Sequence, residues 1–235
     1  MKAALHPAEE RGKADFGWLN SHHSFSFGNY YNPEKIQFGA LRVLNDDIVA
    51  PAMGFQTHSH ANMEIISIPI YGTLAHKDST GNQKNIESGE VQIMSAGTGI
   101  SHSEFNASDK EPVNFLQIWI LPEKMNVPPR YEQRFFDLEA NRNKMVKIVS
   151  PDGSENSVQI NQKAIFYQGL LDLDQTASLT LEKDFGLYVF LIDGSIKMDS
   201  QILQKRDSLA ITEANSVAIK ALENSRVLAI VVPLV

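Results

Sequence analysis

An all-β fold is predicted by three features of the sequence. Short runs rich in β-branched and aromatic residues, such as residues 64–70 and 113–121, alternate with Gly, Pro, Asn and Asp. No segment before Leu121 carries helical periodicity. The two motifs richest in chemistry, His58-Ser59-His60 and His102-Ser103-Glu104, are spaced i, i+2, which puts both side chains on one face of a strand. A helical zinc site would instead place two His four residues apart, as in H-E-x-x-H, and that motif is absent. Two strands facing each other would aim three imidazoles and one carboxylate at one point, a first shell for a divalent transition metal.

Residues 1–20 are polar apart from Phe16-Gly17-Trp18-Leu19. The stretch 22–31 follows, with His23, Phe25 and Phe27 in alternation, and is expected to be an aromatic-faced strand ended by Asn32-Pro33. Residues 38–44 read as a strand, Asn45-Asp46-Asp47 as a turn, and Ile48-Val49 as a short strand broken by Pro51-Ala52-Met53-Gly54. The H-x-H strand comes next, then residues 64–70 and a turn at Tyr71-Gly72. Residues 73–77 and 83–86 flank a Gly-containing hairpin loop. His76, on the first of these, is expected at the surface or behind the metal ligands. In residues 113–121, Phe115, Gln117 and Trp119 share a face, where sheet packing is their expected role.

A Pro-bearing connector at residues 122–129 is the expected boundary. Beyond it the β rhythm resumes, with a hairpin signal at Asp193-Gly194, but without histidine. All seven His (positions 6, 22, 23, 58, 60, 76 and 102) precede that boundary. The second half is therefore an architectural repeat without the chemistry of the first.

At 235 residues the chain can bury a large core without staples. It has no Cys, which excludes disulfides, thiol catalysis and iron–sulfur clusters and leaves nitrogen and oxygen as ligand atoms. A net charge of −7 without a basic stripe argues against direct nucleic-acid contact. No run of about 18 apolar residues suggests a membrane span, and residues 1–15 do not resemble a secretory leader, so the expected location is the cytoplasm.

The stretches GFQTHSHANMEIISIPIYGTLAHKDSTGNQ and SGEVQIMSAGTGISHSE resemble the pirin family of the cupin superfamily, as do HHSFSFGNYYNP and FLQIWILP. The run PRYEQRFF resembles its bacterial, quercetin 2,3-dioxygenase-like branch. The resemblance implies a bicupin: two stacked antiparallel β-barrels of jelly-roll type with little helix. It implies a metal-binding barrel over residues 1–122, a connector at 123–136, and a second barrel at 137–235 without metal ligands. It implies one mononuclear divalent metal on His58, His60, His102 and Glu104, with iron(II) expected first and nickel, cobalt, copper, manganese or zinc as alternatives.

Many other cupins take their carboxylate from the position of Glu64; the pirin pattern takes it from Glu104 and leaves Glu64 as a hydrogen-bond partner behind the ligands. Ala61-Asn62-Met63 and Thr98 depart from common pirin residues close to the metal, which bears on substrate identity. The activity implied is oxygenolytic ring opening of a flavonol such as quercetin, with a small aromatic substrate and dioxygen as partners and Glu104 as ligand and base. Phe25, Phe27, Phe55, Met94 and Trp119 are the apolar neighbours expected to shape a slot. The alternatives are a metal- or redox-sensing regulator of a protein partner, or a cupin enzyme for another small metabolite.

Overall fold

The computed structural model describes residues 1–234. Among these, the only helical pieces are 3-10 turns at Ala8–Glu10 and Ser154–Asn156. The first strands are β1 (Lys2–His6), β2 (Gly12–Asp15), β3 (Leu19–His23), β4 (Leu41–Val49), β5 (Gly54–His60) and β6 (Glu64–Tyr71). There follow β7 (Thr73–Asp78), β8 (Gln83–Glu87), β9 (Glu90–Ser95), β10 (Ile100–Asn106), β11 (Val113–Ile120) and β12 (Arg130–Phe135). The second half contributes β13 (Val146–Ser150), β14 (Val158–Gln159), β15 (Ile165–Leu171), β16 (Thr176–Thr180) and β17 (Phe185–Asp193). It ends with β18 (Ser195–Met198), β19 (Gln201–Gln204), β20 (Ser208–Thr212), β21 (Ser216–Ala221) and β22 (Ser225–Pro233).

These strands form two barrels of the same plan. The first joins a seven-stranded sheet, β12-β9-β6-β11-β4-β3-β2, to a four-stranded one, β5-β10-β7-β8. The second joins β1-β20-β17-β22-β15-β13-β14 to β16-β21-β18-β19. Adding eleven to each strand number turns β9-β6-β11-β4 and β5-β10-β7-β8 into their counterparts. The edges are exchanged across the molecule: β1 borders the second barrel beside β20, while β12, which follows the connector, borders the first beside β9. β1 and β12 are outermost strands of the two large sheets, each paired on one side only.

The two large sheets pack back to back. Leu44, Ile66, Ile68, Leu116 and Ile118 from the first meet Phe166, Tyr188, Phe190, Leu228 and Ile230 from the second in one buried cluster. Because the large sheet is buried on both faces, β11 is buried almost throughout rather than on alternate residues, and it is apolar apart from Asn114 and Gln117.

The barrel interiors differ. The second is filled by apolar side chains, including Leu187, Val189, Leu191, Ile196 and Ile219. In the first, the apolar filling is split into two small clusters, one around Phe115 and Leu74 and one around Ile65 and Met94. Polar side chains occupy the remainder.

Two local expectations are corrected. Asn45-Asp46-Asp47 is no turn: β4 runs unbroken through it, paired with β3 and β11 on its two sides. The turn preference of these residues is overridden because each side chain finds a role in the sheet. Asp46 faces the second barrel, where Arg11 (3.5 Å) and Arg206 (3.3 Å) meet its carboxylate. Asn114 donates to it at 2.8 Å. Asn45 and Asp47 face the first barrel's interior. The expected aromatic strand over 22–31 also stops early, at His23, and Phe27 and Tyr30 bridge around Gly28, whose φ of +56° suits glycine.

Candidate metal centre

Strand β10 is the middle of the site, paired with β5 on one side and β7 on the other. His102 lies opposite His58, but Glu104 lies opposite Phe55, so two residues of β5, Gln56 and Thr57, oppose the single Ser103. This bulge reverses the facing of β5, so that Phe55 and His58, three positions apart, both reach the barrel interior. It also brings the Gln56 carbonyl oxygen within 2.8 Å of Nδ1 of His58. Nδ1–H donates to that oxygen, which leaves Nε2 as the free lone pair. Gly54 permits the close approach of β5 to β10, since a Cβ there would collide with the Glu104 carbonyl oxygen.

The imidazoles of His58, His60 and His102 converge, with ring centroids 4.9 Å (58–60), 4.5 Å (58–102) and 5.0 Å (60–102) apart. One nitrogen from each lies within 4.8 Å of the others. Nε2 of His60 and both ring nitrogens of His102 are buried without a hydrogen-bond partner. Burial first, then the neighbouring His58, pushes His60 down to about 4. Burial, then His58, His60 and His76, pushes His102 down to about 3. These rings are therefore neutral at pH 7 and present lone pairs. Unpartnered buried nitrogens are costly in a plain core; converging on one point, they fit a divalent metal.

The structure places Glu104 beside His102, in a second buried group with His76. Glu104 is 2 % exposed. Oε1 lies 3.0 Å from Ser67 Oγ, and Oε2 accepts from Gln117 Nε2 at 2.7 Å. Burial, partly offset by Ser67 and Gln117, pushes this carboxyl up to about 7. A cation beside it would displace the proton.

Glu64 points the other way. Ser67, three residues on, faces the interior, so Glu64 faces the second barrel. There it accepts from Ser95 Oγ at 2.8 Å and from the backbone and side chain of Asn161 at 3.2 and 3.3 Å. It is a tie between the halves and contacts no ligand imidazole. His76 is not at the surface. It is 1 % exposed, with Nε2 3.0 Å from Asp78 Oδ2 and its ring 5.4 Å from that of His102. Gln117 and Trp119, expected in sheet packing, reach the site: Gln117 holds Glu104, and the Trp119 ring meets His60 edge-on at 5.0 Å.

His58 and Glu104 open into a cavity of about 740 Å³. Phe27, Phe55 and Trp119 line it as expected, joined by Trp18 and Tyr30. Phe25 and Met94 do not: Phe25 packs against Tyr188 between the barrels, and Met94 sits in the small cluster beside Ile65.

One wall is polar and was not anticipated. Strands β3 and β4 place Ser21 opposite Asp47 and His23 opposite Asn45, all lining the cavity. The phase of Val43, Asn45, Asp47 and Val49 was the available sequence signal. Burial is the main reason that the Asp47 carboxyl is pushed up to about 7; Ser21 donates to it, while Asp46 and Glu104 raise it further. A carboxyl raised from 3.8 costs nothing below about pH 4, and its cost builds as pH rises through 7. Metal-free Asp47→Asn is therefore expected to be more stable than wild type at pH 8, by on the order of a few kcal/mol. The gap should close by pH 4. Chemical denaturation at both pH values checks this, and an equal gap at both contradicts it.

Comparison with known proteins bears on this centre. A family model described as Pirin matches residues 5–120, and one described as the quercetinase C-terminal cupin domain matches residues 147–232. A quercetin 2,3-dioxygenase of Escherichia coli strain K12 is 41 % identical over 224 residues, covering 95 % of this chain and 96 % of its own. A pirin-like protein of Caulobacter vibrioides is 35 % identical, covering 93 % and 94 %. The crystal structure of the bacterial pirin YhhW of Escherichia coli in complex with nickel(II) superposes with a TM-score of 0.95 at 38 % identity, covering the whole of both chains.

Proposed function

The chain belongs to the pirin family and is a bicupin, and on that premise we propose that it is a metal-dependent dioxygenase that opens a flavonol such as quercetin with dioxygen and releases carbon monoxide. The ion is a single divalent metal, iron(II) first among the candidates. The ligands we assign are His58, His60, His102 and Glu104, all in the first barrel. The observation that carries this reading is the set of partnerless buried imidazole nitrogens beside an aromatic-walled cavity. Its volume falls within the range of small-molecule sites, about 300–1,000 Å³. The relatives that bear the name quercetin 2,3-dioxygenase support the substrate, and nickel(II) in the Escherichia coli pirin supports a divalent ion.

When bound, the metal supplies Lewis acidity and, as iron, a redox centre for dioxygen. The protein's residues do the positioning. Phe27, Phe55 and Trp119 offer faces and edges for a flat ring and exclude water from it. The bulge carbonyl of Gln56 fixes the His58 tautomer. Gln117 and Ser67 aim Glu104, which would hold the metal as its carboxylate.

The test is quercetin turnover by protein loaded separately with iron(II), nickel(II), cobalt(II) and manganese(II), read as loss of quercetin absorbance and release of carbon monoxide. Turnover is expected with at least one metal and should vanish in His58→Ala and after chelation. Metal-loaded wild type that turns over no flavonol with any of these ions contradicts the proposal.

A further inference from the structure

The polar wall of the cavity has no part in holding a metal, yet it is built as a binding surface. His23 and Asn45 are 4 % and 2 % exposed, both line the cavity, and Nδ1 of His23 and Oδ1 of Asn45 have no hydrogen-bond partner. Buried polar atoms left unpaired beside a cavity call for a ligand's polar atoms. Asp47, two residues along β4 from Asn45 and lining the same cavity, is 3 % exposed, with Ser21 as its donor. The charged side chains that line this cavity are Lys13, Asp15, Asp47 and Glu104. The polar groups on this wall, Ser21, His23, Asn45 and Asp47, are hydrogen-bonding partners suited to a substrate that carries hydroxyl and carbonyl oxygens.

Resting on the flavonol reading above, we propose that Asp47 is the proton acceptor for the substrate's enolic hydroxyl, with Ser21 orienting it and His23 and Asn45 binding neighbouring substrate oxygens. The substrate's O–H bond breaks, the proton forms a new bond to a carboxylate oxygen of Asp47, and the electron pair stays on the substrate oxygen. Glu104 is poorly placed for this task, since a carboxylate committed to a cation is a weak base. Asp47 is not among the ligands, and its buried carboxyl lines the same cavity as His58 with Ser21 holding it in place, so it is positioned to take a proton from a substrate hydroxyl. The groups that face it are Glu104 from β10, Ser21 and His23 from β3, and Phe115 and Gln117 from β11, with Asp46 its neighbour on β4.

The test is anaerobic binding of quercetin to nickel(II)-loaded protein at pH 7, with free quercetin at the same pH as the reference spectrum. Tryptophan quenching from Trp18 and Trp119 reports binding, and the red shift of the flavonol band reports ionisation. Wild type is expected to bind and shift the band. Asp47→Asn should bind, but its ionised fraction should fall at least about tenfold, the effect of one pKa unit. Raising the pH past quercetin's own ionisation should restore the shift in the variant. A flavone lacking the 3-hydroxyl should bind without shift in both proteins. Binding with an equal shift in wild type and Asp47→Asn overturns the role of Asp47 alone, as does binding without a shift in wild type. Failure of wild type to bind quercetin overturns the flavonol reading, and this inference with it.

Discussion

Replacing His102 with alanine is expected to abolish tight metal binding while leaving the fold intact. His102 belongs to both groups of candidate ligands, so its loss disables each of them. Losing a hydrogen-bond partner behind a ligand typically costs about 10–100-fold in affinity, and losing the ligand itself should exceed the upper end of that range. The fold should survive because neither ring nitrogen of His102 holds another protein group. Metal content after purification and calorimetric titration check the affinity; a melt of the metal-free protein checks the fold. Stoichiometric metal in a folded His102→Ala protein would remove the basis of the site.

The largest expected effect on stability comes from Phe190→Ala. Phe190 is fully buried in the cluster shared by the two barrels, with the Arg11 guanidinium 5.5 Å from its ring centre. Truncating a buried Phe to Ala costs about 3–5 kcal/mol. At about 2–4 °C per kcal/mol for a chain of this size, the melting temperature should fall by about 6–20 °C. Because the two barrels share this core and exchange edge strands, the protein should still melt in one transition. Calorimetry that resolves two transitions, with only the second barrel's shifted, would contradict a shared core. Metal binding at low temperature should persist, since no candidate ligand touches that cluster.

The all-β class and the histidine pairs on strand faces were legible because they depend on local rules, namely period-two alternation, turn residues and i, i+2 spacing; the two-barrel plan came from the resemblance to the pirin family. What was not legible depends on tertiary placement. Asn45-Asp46-Asp47 reads as a turn by composition, and only pairing on both sides of β4 makes it a strand. The parity conflict between Phe55 and His58 is resolved by a bulge that no residue type announces. Glu64 and Glu104 both lie at even spacings from a histidine. Only the neighbours Ser95 and Asn161 on one side, and Ser67 and Gln117 on the other, show which of them faces the interior. The exchange of β1 and β12 joins segments far apart in the chain, which periodicity does not report.

Anomalous diffraction from crystals of the metal-loaded protein tests the proposed centre most directly. One peak per chain is expected, within bonding distance of nitrogens from His58, His60 and His102 and an oxygen of Glu104, with at least one position open toward the cavity. A peak ligated by His76 in place of His58 and His60, or a site closed by protein ligands on every side, would contradict it.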